Sequence, residues 1–196
     1  ICYDDLSGRS STCTRLLLST TACGRKSTAD WCIALCLNKT VAMLVGMLGV
    51  LMGGAAYVPL DPKYPAKRLA AISKDASLDA LVAAVSSGKK DYLLQSNRID
   101  ICKDKETRCW SSGGQSMSYM IYTSGSTGLP KGTVIEHINV QHFVKSTTLA
   151  HHPNSKHSRS PFVVEITFDA HVWILYPLFA TGGRLYISSK VAMLER

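Results

Sequence analysis

Apolar and polar positions along this chain fall into blocks that switch between a strand-like and a helix-like period. The run "DWCIALCL", Asp30 to Leu37, is short and apolar, which predicts a strand. Val41 to Leu60 then gives twenty residues without a charge, and Gly49-x3-Gly53 adds the small-residue spacing of packed membrane helices. Its internal punctuation argues against a membrane span. Gly53-Gly54 interrupts the helical pattern, and Tyr57-Val58-Pro59 reads as a short extended piece. A helix from about Asn38 to Met52 would be roughly 22 Å long, short of a hydrocarbon core of about 30 Å. The pattern predicts a buried helix followed by a central strand, and no contact with a membrane.

The alternation continues. Pro65 to Ala76 suits a second helix with Lys67, Arg68 and Lys74 on its wet face, and "LDALVAAV", Leu78 to Val85, returns to strand composition. Ser86 to Gln115 is polar with mixed charges and predicts a solvated loop region. "SMSYMIYTS", Ser116 to Ser124, is the next strand, and the segment from Gly132 leads into a helix. Strand and helix turning over in this way predict an α/β fold, a partly parallel sheet with flanking helices. No internal repeat or low-complexity tract interrupts it.

Composition narrows the picture. An apolar fraction of 46% is ample for a core, and a formal charge of +8 favours anionic ligands such as nucleotides or nucleic acids. Seven cysteines cannot all pair within the chain, and neither Cys32-x3-Cys36 nor Cys102-x6-Cys109 has a second pair at zinc-ribbon spacing. They read as reduced thiols, and the ends show no secretory signal, so a cytoplasmic location is expected. Ile1 follows no initiator Met and Arg196 ends an apolar run, the ends expected of a piece of something longer.

The stretch "YTSGSTGLPKG", Tyr122 to Gly132, follows a predicted strand and precedes a predicted helix. In that place glycines permit tight turns and N–H groups can face an anion, while Ser124, Ser126 and Thr127 add hydroxyl donors and Lys131 a mobile positive charge. A merely structural glycine turn is the competing reading. It is not a Walker A loop, because Lys131 lies three residues after Gly128 and Gly132 stands where a magnesium-binding Ser or Thr would be.

Taken with its neighbours, this stretch resembles the phosphate-binding motif of adenylate-forming, AMP-binding enzymes, and specifically of the amino-acid-activating adenylation domains of nonribosomal peptide synthetases. "LGVLMGGAAYVPLDPKYPAKRL", Leu48 to Leu69, is similar to a second motif of that family. "ITFDAHVWILYPLFATGGRLYI", Ile166 to Ile187, is similar to the one that lines its amino-acid pocket, and "ICYDDLSGRSSTCTRLL" weakly resembles its start. The resemblance implies that residues 1–196 are an incomplete adenylation domain, part of the large N-terminal subdomain, lacking the C-terminal subdomain and the carrier domain. Alone, such a piece is expected to be inactive.

Residue by residue, the resemblance implies that Thr123, Ser124, Gly125, Ser126, Thr127 and Gly128 surround the ATP phosphates, with Lys131 supporting them. Phe168 and Asp169 would begin the amino-acid pocket, Asp169 pairing with the substrate ammonium, and Ala170 and Trp173 would face the same pocket. The competing reading of Asp169 is a helix N-cap before "AHVWILY". His171 stands where the family frequently has serine, so backbone or solvent-side contacts are expected to differ there, and Glu165 replaces a small or polar residue. No catalytic residue and no metal ligand is assigned within the chain.

The implied reaction has two steps: an amino-acid carboxylate attacks the α-phosphorus of Mg2+-ATP to give aminoacyl-AMP, and a phosphopantetheine thiol on a carrier domain then takes the acyl group. Asp169, Ala170 and Trp173 favour a large hydrophobic amino acid. His137 reads as a packed or hydrogen-bonded helix residue, and His151, His152 and His157 as a surface cluster in a polar connection. A basic α/β nucleic-acid-binding module is the alternative. It has Lys145, Lys156 and Arg159 for it, but Phe143 is the single nearby ring where interleaved aromatics would be needed.

Overall fold

The computed structural model describes residues 6, 8–13, 31–87, 90–95, 115–124, 129–151 and 159–187. Strand β1 (Cys32–Cys36) and strand β2 (Ala56–Leu60) pair in parallel, joined by helix α1 (Val41–Met52). Helix α2 (Ala66–Asp75) then crosses back to β3 (Ala80–Ser87), which pairs with the other side of β1. The two helices cover opposite faces of the sheet, because alternate residues of a strand point to opposite sides. Ile33, Leu35 and Tyr57 enter one core with Met43, Leu44 and Met47 of α1. Cys32, Ala34, Val58 and Leu60 enter a second core with Ile72 of α2. Strands buried on both faces have no polar side to present, which is why their sequences read as continuous apolar runs.

The charge-free run is thus divided between α1 and β2. Helix α1 is apolar all round because it lies between the sheet and its neighbours. It ends where Gly53 N–H reaches the Gly49 carbonyl at 3.1 Å and Gly54 takes a φ of +73°, a backbone state that glycine adopts without strain. Residues 8–13 are helical and pass so close to α1 that a Cβ built on Gly49 would lie 2.9 Å from Cys13 Cβ. No helix among the described residues is long and apolar enough to cross a membrane.

The six-stranded sheet has the order β4-β3-β1-β2-β5-β6, with β4 (Lys90–Gln95) antiparallel to β3 and β5 (Met117–Ser124) parallel to β2. Three expectations are corrected here. A strand, β4, lies within the segment expected to be a solvated loop: the open edge of β3 offers unpaired backbone groups, and a partly charged partner suits an edge. Residues 96–114 of that segment lie outside the described residues. Second, the segment from Gly132 reaches its expected helix only after a strand. Residues Pro130–Glu136 form β6, antiparallel to β5, with Tyr122 opposite Gly132 and Ile121 opposite Thr133. The β-branched run Thr133-Val134-Ile135 favours a strand, and helix α3 (His137–His151) starts after it. Third, Lys67 and Lys74 are exposed as expected, but Arg68 is half-buried with its guanidinium 4.7 Å from the centre of the Tyr64 ring.

A smaller unit follows. Strands β7 (Arg159–Phe162) and β8 (Arg184–Ile187) pair in parallel, with helix α4 (Ala170–Ala180) as the crossover between them. Phe162, Leu185, Val172 and Leu175 join the core on the α1 face, which fixes the start of α4 against β2 and β5.

Candidate nucleotide and substrate site

The hairpin β5–β6 brings part of the glycine-rich stretch together. Thr123 lies opposite Lys131 and Ser124 opposite Pro130, so two hydroxyls and one ammonium share the hairpin's end, and all three side chains are exposed. Gly125, Ser126, Thr127 and Gly128 lie outside the described residues. The described strands on either side of this stretch are antiparallel, whereas the sequence suggested a strand followed directly by a helix. Tyr122 anchors the base of the hairpin, its O–H donating to Asp75 Oδ2 at 2.6 Å. Burial and then this bond push the phenol's pKa well above its ordinary value.

Phe168, Asp169, Ala170 and Trp173 cluster at the start of α4. Asp169 immediately precedes the helix yet makes no side-chain capping bond, and its carboxylate is exposed. The helix-cap reading of this residue therefore does not describe the structure. Phe168 is 65% and Trp173 61% exposed, and Trp173 packs edge-on against Phe143 of α3 with ring centres 4.9 Å apart. Asp169, Ala170 and Trp173 fall on one face, at the helical spacings of three and four residues. Asp169 lies close enough to Tyr119 of β5 for its charge to add to the burial that raises that phenol's pKa. The two groups of predicted site residues do not converge directly. Tyr119 and Ser124 are five residues apart on β5, about 17 Å at strand rise.

His171 faces the other way. It is fully buried, whereas solvent-side contacts were among those expected to change there. Nδ1 lies 2.6 Å from the Phe168 carbonyl oxygen, which can only accept, so Nδ1 carries the proton. Burial pushes the imidazole pKa down to about 4, against smaller upward pulls from the Phe168 carbonyl and the Asp169 charge. The neutral ring then accepts at Nε2 from the Tyr57 O–H, 2.6 Å away, and Tyr57 in turn accepts from Tyr176 at 3.2 Å. Tyr57 stacks on Tyr119 with ring centres 5.5 Å apart, and His171 stands edge-on to both. The sequence shows Tyr57, Tyr119 and Tyr176 only as members of three separate apolar runs. Nothing in their spacing signals that they meet.

Two further residues are placed. Glu165 lies 3.8 Å from Lys39, whose Nζ donates to the Val163 carbonyl at 3.1 Å. They border a cleft of about 250 Å³ at the carboxyl ends of β1 and β2, where the chain leaves for opposite faces of the sheet. None of the predicted site residues lines it. His137 opens α3, half-buried, with its pKa lowered by burial, and its Nε2 has no hydrogen-bond partner among the described residues. The side chain of His151, and all of His152 and His157, lie outside the described residues.

The geometry thus offers an exposed carboxylate beside aromatic rings towards one end of β5 and hydroxyls with a lysine at the other. The chain belongs to the AMP-binding enzyme family, whose model matches residues 2–196. It is 33% identical to bacitracin synthase 2 of Bacillus licheniformis over 85% of this chain and 6% of that protein. It is 34% identical to malpinin synthetase of Mortierella alpina over 99% of this chain and 2% of that one. The chain thus spans a small part of the curated relatives it matches. Among solved structures, the N-terminal subdomain of Klebsiella oxytoca NpsA, in complex with 3-hydroxyanthranilyl-AMSN, superposes with a TM-score of 0.75 at 19% identity, over 99% of this chain and 49% of that one. The nonribosomal peptide synthetase FmoA3 in its AMPPNP-bound form gives 0.74 at 20% identity, over 95% and 20%. These structures share the fold of this chain.

Proposed function

We propose that the protein to which this chain belongs uses ATP to activate an amino acid as aminoacyl-AMP for nonribosomal peptide synthesis. The observation that carries the reading is the uncapped, exposed carboxylate of Asp169 beside Phe168 and Trp173, next to the strand whose far end holds Thr123, Ser124 and Lys131. Asp169 would pair with the substrate's α-ammonium, leaving its carboxylate directed along β5 towards the phosphates. Thr123, Ser124 and Lys131, with Gly125, Ser126, Thr127 and Gly128, would hold the ATP phosphates. The substrate carboxylate oxygen attacks the α-phosphorus, the bond to the bridging oxygen breaks, and pyrophosphate leaves. A phosphopantetheine thiol of a carrier domain then attacks the acyl carbon and AMP leaves. Names of the relatives support this setting, since several are peptide synthases and one solved structure is an AMPPNP-bound peptide synthetase.

The hydroxyls of Thr123 and Ser124 are oxygen donors that could face the Mg2+ that accompanies ATP, and any carboxylate ligand would come from other residues. A large hydrophobic substrate and a cytoplasmic location belong to the same proposal. Neither the family nor the relatives support the nucleic-acid alternative.

The test is amino-acid-dependent exchange of pyrophosphate into ATP by the complete protein, with a panel of amino acids. Exchange with at least one amino acid, abolished or strongly weakened by Asp169→Ala, is expected. Exchange driven equally well by carboxylic acids that lack the amino group would overturn the role of Asp169, and no exchange with any amino acid would overturn the function.

A further inference from the structure

We propose that His171 is a positioning residue of the amino-acid site, holding the turn that presents Asp169 and anchoring it to the central sheet through Tyr57. The inference rests on the reading of Asp169 as the ammonium-binding group.

The turn before α4 is short and its backbone bonds are few. Phe168 N–H donates to the Glu165 carbonyl at 3.1 Å, and Val172 N–H to the Asp169 carbonyl at 2.9 Å. The Phe168 carbonyl accepts twice from one residue, from the His171 N–H at 3.2 Å and from its Nδ1–H at 2.6 Å. A side chain that returns to the carbonyl just before Asp169 fixes the peptide linking residues 168 and 169, and with it the direction in which Asp169 leaves the backbone. Asp169 has no capping bond of its own to do this.

The other ring nitrogen supplies the anchor. Nε2 meets the hydroxyl of Tyr57 at 2.6 Å, and Tyr57 belongs to β2, paired along its length with β1 in the middle of the sheet. Tyr57 is itself held by the Tyr119 ring and the Tyr176 hydroxyl, so β5 packs by ring stacking on the polar contact that joins α4 to β2. A fully satisfied network of this kind specifies one arrangement, whereas a half-satisfied one does not. His171 is the member that joins it to the substrate-facing turn. Its two bonds have different roles: the Nδ1 bond sets the turn and the Nε2 bond sets the ring.

That division gives the test. Asparagine can place an amide nitrogen, a donor, near the Nδ1 position, and glutamine an amide oxygen, an acceptor, near the Nε2 position, with similar loss of ring packing. In the complete protein, pyrophosphate exchange is measured for the parent, His171→Asn, His171→Gln and Tyr57→Phe, with the melting temperature of each. His171→Gln should raise the KM for the amino acid by about tenfold while the KM for ATP stays within about twofold, the size expected of a displaced binding group. His171→Asn should stay closer to the parent than His171→Gln even where both melt at the same temperature. Tyr57→Phe, which keeps the Phe168 bond, should have the smaller effect on KM. Equal amino-acid KM values for His171→Asn and His171→Gln, or KM values for both substrates rising together with lost stability, would overturn the proposal and leave the proposed function standing. Absence of amino-acid-dependent exchange in the parent would overturn both.

Discussion

His171 Nδ1 and the Phe168 carbonyl oxygen lie 2.6 Å apart, and this one contact dictates the direction of every bond in the buried network around it. It fixes the proton on Nδ1, makes Nε2 an acceptor, and turns the Tyr57 hydroxyl towards the ring. Protonation of His171 would make Nε2 a donor, turn the Tyr57 hydroxyl round to accept, and leave a charged ring buried away from water.

Stability should therefore depend on pH through this residue. The groups facing His171 are Tyr57 of β2, Tyr119 of β5, and Asp169 and Tyr176 from its own segment. The folded pKa is about 4 against an ordinary value of 6.5, so the unfolded chain takes up the proton first as pH falls. The contribution is complete above pH 6.5, declines between 6.5 and about 4, and is gone below that. At about 1.4 kcal/mol per pKa unit, the loss is about 3 kcal/mol. Denaturant or thermal unfolding of the parent and of His171→Phe across this range should show a steeper fall in the parent. Parallel pH profiles would contradict a neutral buried His171.

The crossing of residues 8–13 over α1 makes a second measurable claim. A Cβ at Gly49 would lie 2.9 Å from Cys13 Cβ and 3.3 Å from the Ser10 carbonyl, so backbone must move. Gly49→Ala should destabilise by about 1–3 kcal/mol despite alanine's higher helix propensity. Gly46→Ala is the control, because its new methyl would meet side-chain ends alone, those of Leu37, Leu35 and Val82 at 3.4, 3.5 and 3.7 Å. It should be neutral or mildly stabilising. Equal effects would mean that the close approach at Gly49 does not constrain the packing.

Tyr122→Phe removes the bond to Asp75 and keeps the ring packed in the second core. Asp75 is exposed, which discounts the charge-assisted bond to about 1 kcal/mol of lost stability. Double-mutant analysis with Asp75→Ala should recover most of that value as coupling, and additive effects would show that the contact stabilises nothing.

Much of this architecture was legible in the apolar pattern. The apolar runs around Cys32–Cys36 and Ala56–Leu60 read as strands, the second of them central, and Gly53-Gly54 marked the end of α1 because few other residues turn so tightly. Strand β6 was hidden because Gly132 and the residues after it allow either a helix start or a strand, and only pairing with β5 decides between them. The family motifs pointed to Asp169 and Lys131. The Tyr57–His171 contact spans 114 residues of sequence and obeys no local period, so no window of the chain could contain it.

Lys131 offers a test of the hairpin's role. Its ammonium is exposed, opposite Thr123, at the end proposed to hold phosphates. In the complete protein, Lys131→Ala should raise the KM for ATP by about tenfold or more and leave the amino-acid KM within about twofold, since one charge-assisted contact is worth about 1.5–3 kcal/mol. Unchanged ATP dependence in a folded variant would remove Lys131 from the site.

Substrate preference follows from the residues around Asp169. Ala170 is small and half-buried, so it leaves room beside the carboxylate, while Trp173 presents an indole supported edge-on by Phe143. A rigid aromatic wall next to an open space favours a large apolar side chain, and a charged one would lose hydration there without gaining a partner. Phenylalanine and leucine should therefore show higher kcat/KM than aspartate or lysine. The difference between phenylalanine and leucine themselves depends on the far wall, and a methylene is worth only about 1–3 kcal/mol. Trp173→Ala should lower kcat/KM for the preferred apolar substrate by about tenfold or more and narrow its advantage over alanine, because the lost contact is with the side chain. If aspartate or lysine outperformed every large apolar amino acid in the parent, Trp173 would not be a wall of the pocket, and the aromatic pair with Phe143 would be a packing contact between α3 and α4 alone.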